Sequence, residues 1–414
     1  MTDVLSSQWS GLDQSPRTPF KARVARAILR PAVSRTPVRL RFPDGRHWGA
    51  GGPDAPEMVV RRPEALFNRL GQDSKIGLGE AYMAGDWTTG EDTDLADLLS
   101  PFAAQLTTLV PPSLQKLRRL VDRDLPAEER NTVSGSRSNI ERHYDLSNDL
   151  FLRFLDPSMT YSAAWFEDLG ARPGFDELER AQQRKLDGLL DQAGVTEGTR
   201  VLEIGSGWGS LAIRAAQRGA RVTTITISTE QADLARRRFA EAGVDDRIEL
   251  RLQDYRDVTG QYDAVVSCEM IEAVGEEYWP TYFRTIDSVL APGGKVAIQA
   301  ITMDHHRYLT TRRSYGWIQK YIFPGGLIPS RRAIDETLAE HTRGLRVTET
   351  RSLGLHYART LRLWRERFEA HWDDISTHGF DETFRRMWTF YLAYCEAGFA
   401  VGYLDVEQLQ MQRT

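Results

Sequence analysis

The chain has 414 residues, 41% of them apolar, and a formal charge of -5. That length allows two or three domains with sizeable cores, and the mild acidity excludes a strongly basic nucleic-acid binder. Two cysteines, Cys268 and Cys395, build no disulfide framework and fit a reducing compartment, and no apolar run approaches the roughly 18 residues of a membrane span.

The opening stretch MTDVLSSQWSGLDQSPRTPF lacks a charged segment followed by an apolar core, so no secretory signal is expected and the location reads as cytoplasmic. Residues 1–35 read as a disordered, basic tail. Ser15 to Phe42 holds eight Arg or Lys and no acid, and Phe20, Val24 and Ile28 recur every four residues. That spacing predicts a basic amphipathic helix, suited to lying on the inner membrane face or to packing one edge on its own domain. Residues 36–125 read as a small mixed N-terminal domain serving membrane contact or dimerisation. In it, "VRLRF" is a strand, "EMVVRRPEALFNRL" a strand and helix, and "GLGEAYMAGDWTTGEDTDLADLLSPF" a glycine-punctuated helix pair. The polar stretch 126–140 reads as a linker.

Residues 141–414 carry a different pattern. A long amphipathic helix, "DELERAQQRKLDGLLDQAG", precedes strands "TRVLEIG", "ARVTTITIS", "RIELRLQDY", "YDAVVSCEM" and "KVAIQAIT", which alternate with helices. The alternation predicts an α/β fold: a doubly wound, mostly parallel, Rossmann-like sheet with a helical cover around residues 303–345. Ligands bind beyond the carboxyl ends of such strands.

"EIGSGWG" puts Glu203, Gly205, Gly207 and Gly209 straight after the first of these strands. The spacing differs from the dinucleotide fingerprint. It resembles the first motif of class I S-adenosylmethionine-dependent methyltransferases, which implies a cofactor on the glycine loop and on Asp254 and Tyr255 of "LQDY". Such enzymes often carry an acid at the end of the second strand. Here Thr226 and Ile227 stand there, and Gln231 in the next helix turn is placed to reach the ribose.

Asn139 to Asp168, "NIERHYDLSNDLFLRFLDPSMTYSAAWFED", is similar to the segment that opens the catalytic domain of cyclopropane fatty acid synthases, as are "VTTITISTEQ", "KYIFPGGLIPS" and "TLRLWRERF". The resemblance runs in order over residues 50–410. It implies methyl transfer from S-adenosylmethionine to a cis double bond in an unsaturated phospholipid acyl chain, through a carbocation. The product is a cyclopropane or a 10-methylene precursor of tuberculostearic acid, which a separate reductase could saturate. A homodimer, through the N-terminal domain, is a further expectation. Competing readings are a methyltransferase for a small amine or polyketide, and a non-catalytic peripheral lipid-binding protein.

The resemblance also implies a bicarbonate ion as base. It falls on Glu272 of "IEAVG", Tyr357 of "GLHYARTL", and backbone groups at Ile301 and Ala163. Two departures stand out: Gln299 where the family has His, and Ala163 where it often has Cys. Gln cannot titrate near neutrality. Tyr161 and Ser162 match cofactor-contacting positions, and "HYDL" (His143, Tyr144, Asp145) a segment lining the site. Cys268 and Glu269 lie on the strand end where the cofactor's methionine part passes. Glu272 is therefore assigned to chemistry, and Glu269 to cofactor contact or local structure. No metal is expected: His305 and His306 lack partners at ligand spacing. Trp317, Tyr321 and Phe323 read equally as acyl-tunnel wall or as core.

Overall fold

Runs of β-branched and apolar residues place seven strands in one sheet of the computed structural model, which describes residues 11–12, 14–105, 131, 135, 148–170 and 174–413. The strands are β5 (Arg200–Ile204), β6 (Arg221–Thr226), β7 (Ile248–Leu252), β8 (Tyr262–Cys268), β9 (Leu290–Met303), β10 (Leu345–Ser352) and β11 (Leu404–Arg413). Their order is β10-β11-β9-β8-β5-β6-β7. Strands β9, β8, β5, β6 and β7 pair in parallel, and β11 alone runs antiparallel to its neighbours β9 and β10. The order reverses at β5, which lies between β6 and β8, so a crevice opens beyond the carboxyl ends of β5 and β8. This is the expected α/β, doubly wound architecture.

Near-continuous apolar strands need both faces covered. One face packs on the helix Trp279–Val289, whose Trp279, Tyr282, Phe283 and Ile286 are buried with Leu202, Val265 and Ile298 of the sheet. Each such side chain contributes on the order of 1.5–3 kcal/mol by leaving water. The other face packs on Leu186, Leu189 and Leu190 of the helix Asp176–Gln192 and on Leu211, Ala215 and Phe239.

The chain divides into two compact units. The sheet belongs to the one formed by residues within 125–313, 323–363 and 404–414; the other takes residues within 1–124, 314–322 and 364–403. The catalytic segment drawn over 141–414 is therefore not a single body. Residues 364–403 pack with the N-terminal segment because their partners there are distant in sequence: Arg365 is buried against Asp94 (2.9 Å) and Glu396 (2.9 Å). The cover around 303–345 is likewise divided, since residues 314–322 belong to the smaller unit. There Trp317 packs on Phe390, and the Tyr321 hydroxyl donates to Glu80 at 2.7 Å.

That smaller unit holds a four-stranded sheet, β2-β1-β3-β4, from β1 (Arg39–Arg41), β2 (His47–Trp48), β3 (Glu57–Val60) and β4 (Trp87–Thr89). The stretch read as a helix pair contains β4 between the helices Gly77–Met83 and Leu95–Gln105: Gly85, at φ 76°, turns the chain, and Thr88 and Thr89 favour a strand. The basic segment folds as a helix, Pro19–Val33, in place of a tail. Most of the expected linker 126–140, residues 1–10, and His143, Tyr144 and Asp145 lie outside the described residues. Asn131, within that expected linker, is buried and donates to the Gly325 carbonyl (3.0 Å), because its amide finds a backbone partner in the larger unit. No helix among the described residues is long and apolar enough to cross a membrane.

Candidate functional site

A crevice lies beyond β5 and β8, with about 1110 Å3 of space in and over it, open solvent included. Its floor is the glycine loop. Gly205 has φ +94°, and a Cβ there would sit 2.4 Å from Met270 Cγ, so only glycine fits. Gly207 lines the crevice too. Gly209 does not: it starts the helix Ser210–Gln217 at φ +90°, and its missing side chain lets Phe239 approach, since a Cβ would meet Phe239 Cε1 at 2.3 Å.

The other twelve residues assigned to the cofactor all line this crevice: Tyr161, Ser162, Glu203, Gly205, Gly207, Thr226, Ile227, Gln231, Asp254, Tyr255, Cys268 and Glu269. Glu203 accepts from Thr224 Oγ1 at 2.6 Å, and burial pushes its carboxyl up to about 8 against that bond and the positive charge of Lys185. Thr226 Oγ1 donates to Gln231 Oε1 at 3.1 Å, which orients the Gln231 amide. Tyr161 is packed edge-on against Phe151 and Phe154 of the helix Asn148–Phe154.

Sequence reasoning missed Lys185. It is fully buried in the helix Asp176–Gln192, lines the crevice, and donates from Nζ to Ser162 Oγ (2.5 Å) and Cys268 Sγ (3.6 Å). A signal existed: Leu178, Ala181, Lys185 and Leu189 share one helical face, and all four are buried. Met159, Thr160, Ser206, Trp208 and Met270 also line the crevice without having been singled out. Among the described residues no cluster of three or more His, Cys, Asp or Glu could hold a metal.

The five residues assigned to the reaction centre do not themselves line the crevice; they come together beside it, around Glu269, which does line it, and Glu272. Glu269 Oε1 accepts from the Ala163 N–H (3.0 Å) and from Gln299 Nε2 (2.8 Å), and Glu269 Oε2 accepts from the Tyr357 hydroxyl (3.0 Å). Glu272 Oε1 accepts from the Ile301 N–H, while its Oε2 is buried with no hydrogen-bond partner among the described residues. Burial and the nearby charge of Glu269 push Glu272 up to about 8, so at neutral pH Glu272 holds a proton. Burial raises Glu269 as well, against its three hydrogen-bond donors and the charge of Lys185. A ring of donors is the setting that favours the acceptor-only, ionised form of a carboxyl.

Neighbouring elements hold these donors in place. The loop carrying Ala163 is tied by Gln182 to the Ser162 carbonyl (2.8 Å) and by Thr360 to the Ala164 N–H (3.1 Å). Cys268, Gln299 and Gln408 lie side by side across β8, β9 and β11. Arg351 NH1 donates to Gln408 Oε1 (2.9 Å), and Gln408 Nε2 donates to Gln299 Oε1 (3.1 Å). Arginine can only donate, so both amide orientations are fixed, and Gln299 must present Nε2 to Glu269.

The residues present therefore do not suit the bicarbonate ion implied by the sequence resemblance. Three of its five expected partners, Ala163, Gln299 and Tyr357, already serve the carboxylate of Glu269. Glu269, expected at most to face the cofactor, lies at the centre of the donor ring.

Comparison with known proteins matches the mycolic acid cyclopropane synthetase family over residues 132–409. The chain is 52% identical over 413 residues to tuberculostearic acid methyltransferase UfaA1 of Mycobacterium tuberculosis, covering 99% of this chain and 96% of that one. It is 35% identical over 363 residues to the cyclopropane-fatty-acyl-phospholipid synthase of Escherichia coli, covering 86% and 88%. The solved structure of mycolic acid cyclopropane synthase CmaA1, complexed with SAH and CTAB, superposes with a TM-score of 0.60 at 30% identity, over 67% of this chain and 98% of that one. With its glycine-looped crevice and its matching order of motifs, the chain belongs to the mycolic acid cyclopropane synthetase family.

Proposed function

We propose that this chain transfers a methyl group from S-adenosylmethionine to the cis double bond of an unsaturated phospholipid acyl chain, giving a methylene-branched chain of the tuberculostearic acid type. The carrying observation is the junction of a glycine-looped crevice with a buried carboxylate pair at one strand end. The names of the relatives, a tuberculostearic acid methyltransferase and a fatty-acyl-phospholipid synthase, support the substrate class.

Bound in the crevice, S-adenosylmethionine supplies a methyl group made electrophilic by a positively charged sulfur. Gly205 and Gly207 let the ligand approach the backbone, Gln231 and Asp254 offer polar contacts to a nucleoside, and Ser162, polarised by Lys185, offers its hydroxyl to a polar end. Trp208, Met270 and Val274 give the crevice an apolar wall. An alkene is a weak nucleophile, so orientation against the methyl carries much of the barrier reduction. Attack leaves a cation on the chain, which the negative charge of Glu269 stabilises. A methylene at the substituted carbon requires a hydride to move from that carbon to its neighbour. A proton then leaves the new methyl. In this reading, saturation of the methylene falls to a separate reductase, and a homodimer remains a proposal that sizing in solution tests.

Membrane-bound substrate suits the helix Pro19–Val33. Its Phe20, Val24 and Ile28 are 77%, 44% and 46% exposed, beside the exposed Lys21, Arg23 and Arg30. An apolar stripe flanked by cations favours an anionic bilayer surface. Replacing all three apolar residues with Ser is expected to weaken binding to anionic vesicles; unchanged binding removes the membrane role of this helix.

The central reading is tested with methyl-labelled cofactor and vesicles of oleoyl or stearoyl phospholipid. Label entering only the oleoyl lipid supports it. Label entering neither, or transfer to small amines instead, overturns it.

A further inference from the structure

We propose that Glu269 is the reaction's general base, a carboxylate built into the chain at the place where the family resemblance implies a bicarbonate ion. The inference rests on the methyl-transfer reading above and concerns where the proton goes.

Glu269 is held as a bound anion is held. Three donors from three separate elements converge on it: the Ala163 N–H from the 159–166 loop, Gln299 Nε2 from β9, and the Tyr357 hydroxyl from the helix Gly354–Ala370. The donor on β9 is oriented in turn by the chain of bonds from Arg351 through Gln408. The backbone at Glu269 is left-handed, at φ 51°, which is uncommon and strained for a non-glycine residue. That conformation ends β8 by turning the side chain into the donor ring and the crevice lining. Packing needs alone do not call for a carboxylate in a left-handed turn ringed by donors.

The chemistry needs a proton acceptor at that place. The alkene's electron pair bonds the transferred carbon as that carbon leaves sulfur, and the chain becomes a cation. After the hydride shift, a C–H bond of the new methyl breaks. Its electron pair forms the double bond between that carbon and the chain, and its proton passes to a carboxylate oxygen of Glu269. Among the described residues, Oε2 accepts one hydrogen bond against two at Oε1, which leaves it the roomier oxygen for that proton. A hydrogen beside a carbocation is so acidic that any carboxylate is basic enough, and position decides the rate. Glu272 cannot share this role at neutral pH, because it already holds a proton and is tied to Ile301. The proton on Glu269 returns to solvent after product leaves.

The test uses the full-length protein in carbon dioxide-free buffer, with oleoyl phospholipid vesicles. Native turnover is expected to change less than about twofold on adding bicarbonate, and 13C NMR of labelled bicarbonate should show no saturable binding. Glu269→Gln should lower kcat by about 100-fold or more, the usual scale for losing a general base, while calorimetry shows S-adenosylhomocysteine still bound. Glu269→Gly, which relaxes the left-handed backbone, should lose turnover equally and recover part of it with added bicarbonate or formate. Native turnover that requires bicarbonate, saturable bicarbonate binding by the native protein, or a Glu269→Gln kcat within tenfold of native would each overturn the inference. Failure of the native protein to methylate any acyl lipid would instead defeat the function proposed above.

Discussion

Replacing Gln408 with Met tests whether the sheet sets the orientation of Gln299. Gln408 is fully buried on β11 and makes three side-chain hydrogen bonds: from Arg351 (2.9 Å), to Gln299 Oε1 (3.1 Å) and to the Lys185 carbonyl (3.0 Å). Methionine keeps the volume and removes all three. Arg351 is partly exposed and rehydrates, and the Lys185 carbonyl lies inside a helix. Gln299, 1% exposed, cannot recover its lost partner. An orphaned buried acceptor costs about 1–3 kcal/mol, so stability should fall by about 2 kcal/mol. The freed amide can then turn its oxygen toward Glu269, which loses a charge-assisted bond worth about 1.5–3 kcal/mol. A loss at the lower end of that range corresponds to about a tenfold fall in kcat, with KM for the acyl lipid little changed. Urea unfolding and steady-state methyl transfer measure the two effects. Full stability with native kcat would refute the relay; lost stability with native kcat would make Gln408 a packing residue only.

The proton on Glu272 gives a pH prediction. Folded, it titrates at about 8, against an ordinary value of 4.5, so the folded state holds the extra proton between those limits and stability falls as pH rises across them. Glu272→Gln should flatten that decline; Glu203, raised by burial over the same window, keeps it from vanishing, and an unchanged slope would contradict a protonated Glu272. Lys185→Met removes the buried cation that offsets Glu203 and Glu269, and should weaken S-adenosylhomocysteine binding about tenfold or more by calorimetry. Native affinity would leave Lys185 with a packing role.

Much of the larger unit was legible because its signals are local. Apolar strands alternate with helices, the glycine loop follows β5 directly, and "LQDY" ends β7, so crevice residues could be named from spacing. What escaped is long-range or conformational. Strand β11, "LDVEQLQMQR", carries buried glutamine where an inner strand usually shows apolar residues, and its place between β9 and β10 depends on a chain reversal that no local pattern encodes. The grouping of residues 364–403 with the N-terminal segment rests on pairs such as Arg365 and Asp94, far apart in sequence. The exchange of emphasis between the two acids turns on one dihedral angle. With Glu269 left-handed, its side chain enters the donor ring, and Glu272, three residues on, meets the Ile301 N–H instead.

The most direct measurement follows the transferred carbon itself. Oleoyl phospholipid vesicles are incubated with the full-length protein and trideuteromethyl cofactor in bicarbonate-free buffer, and the lipid is examined by mass spectrometry and NMR. The account predicts one added carbon, present as a vinylidene group that keeps two of its three deuterons, formed without bicarbonate. A product retaining all three deuterons, or no product until bicarbonate is supplied, would contradict it.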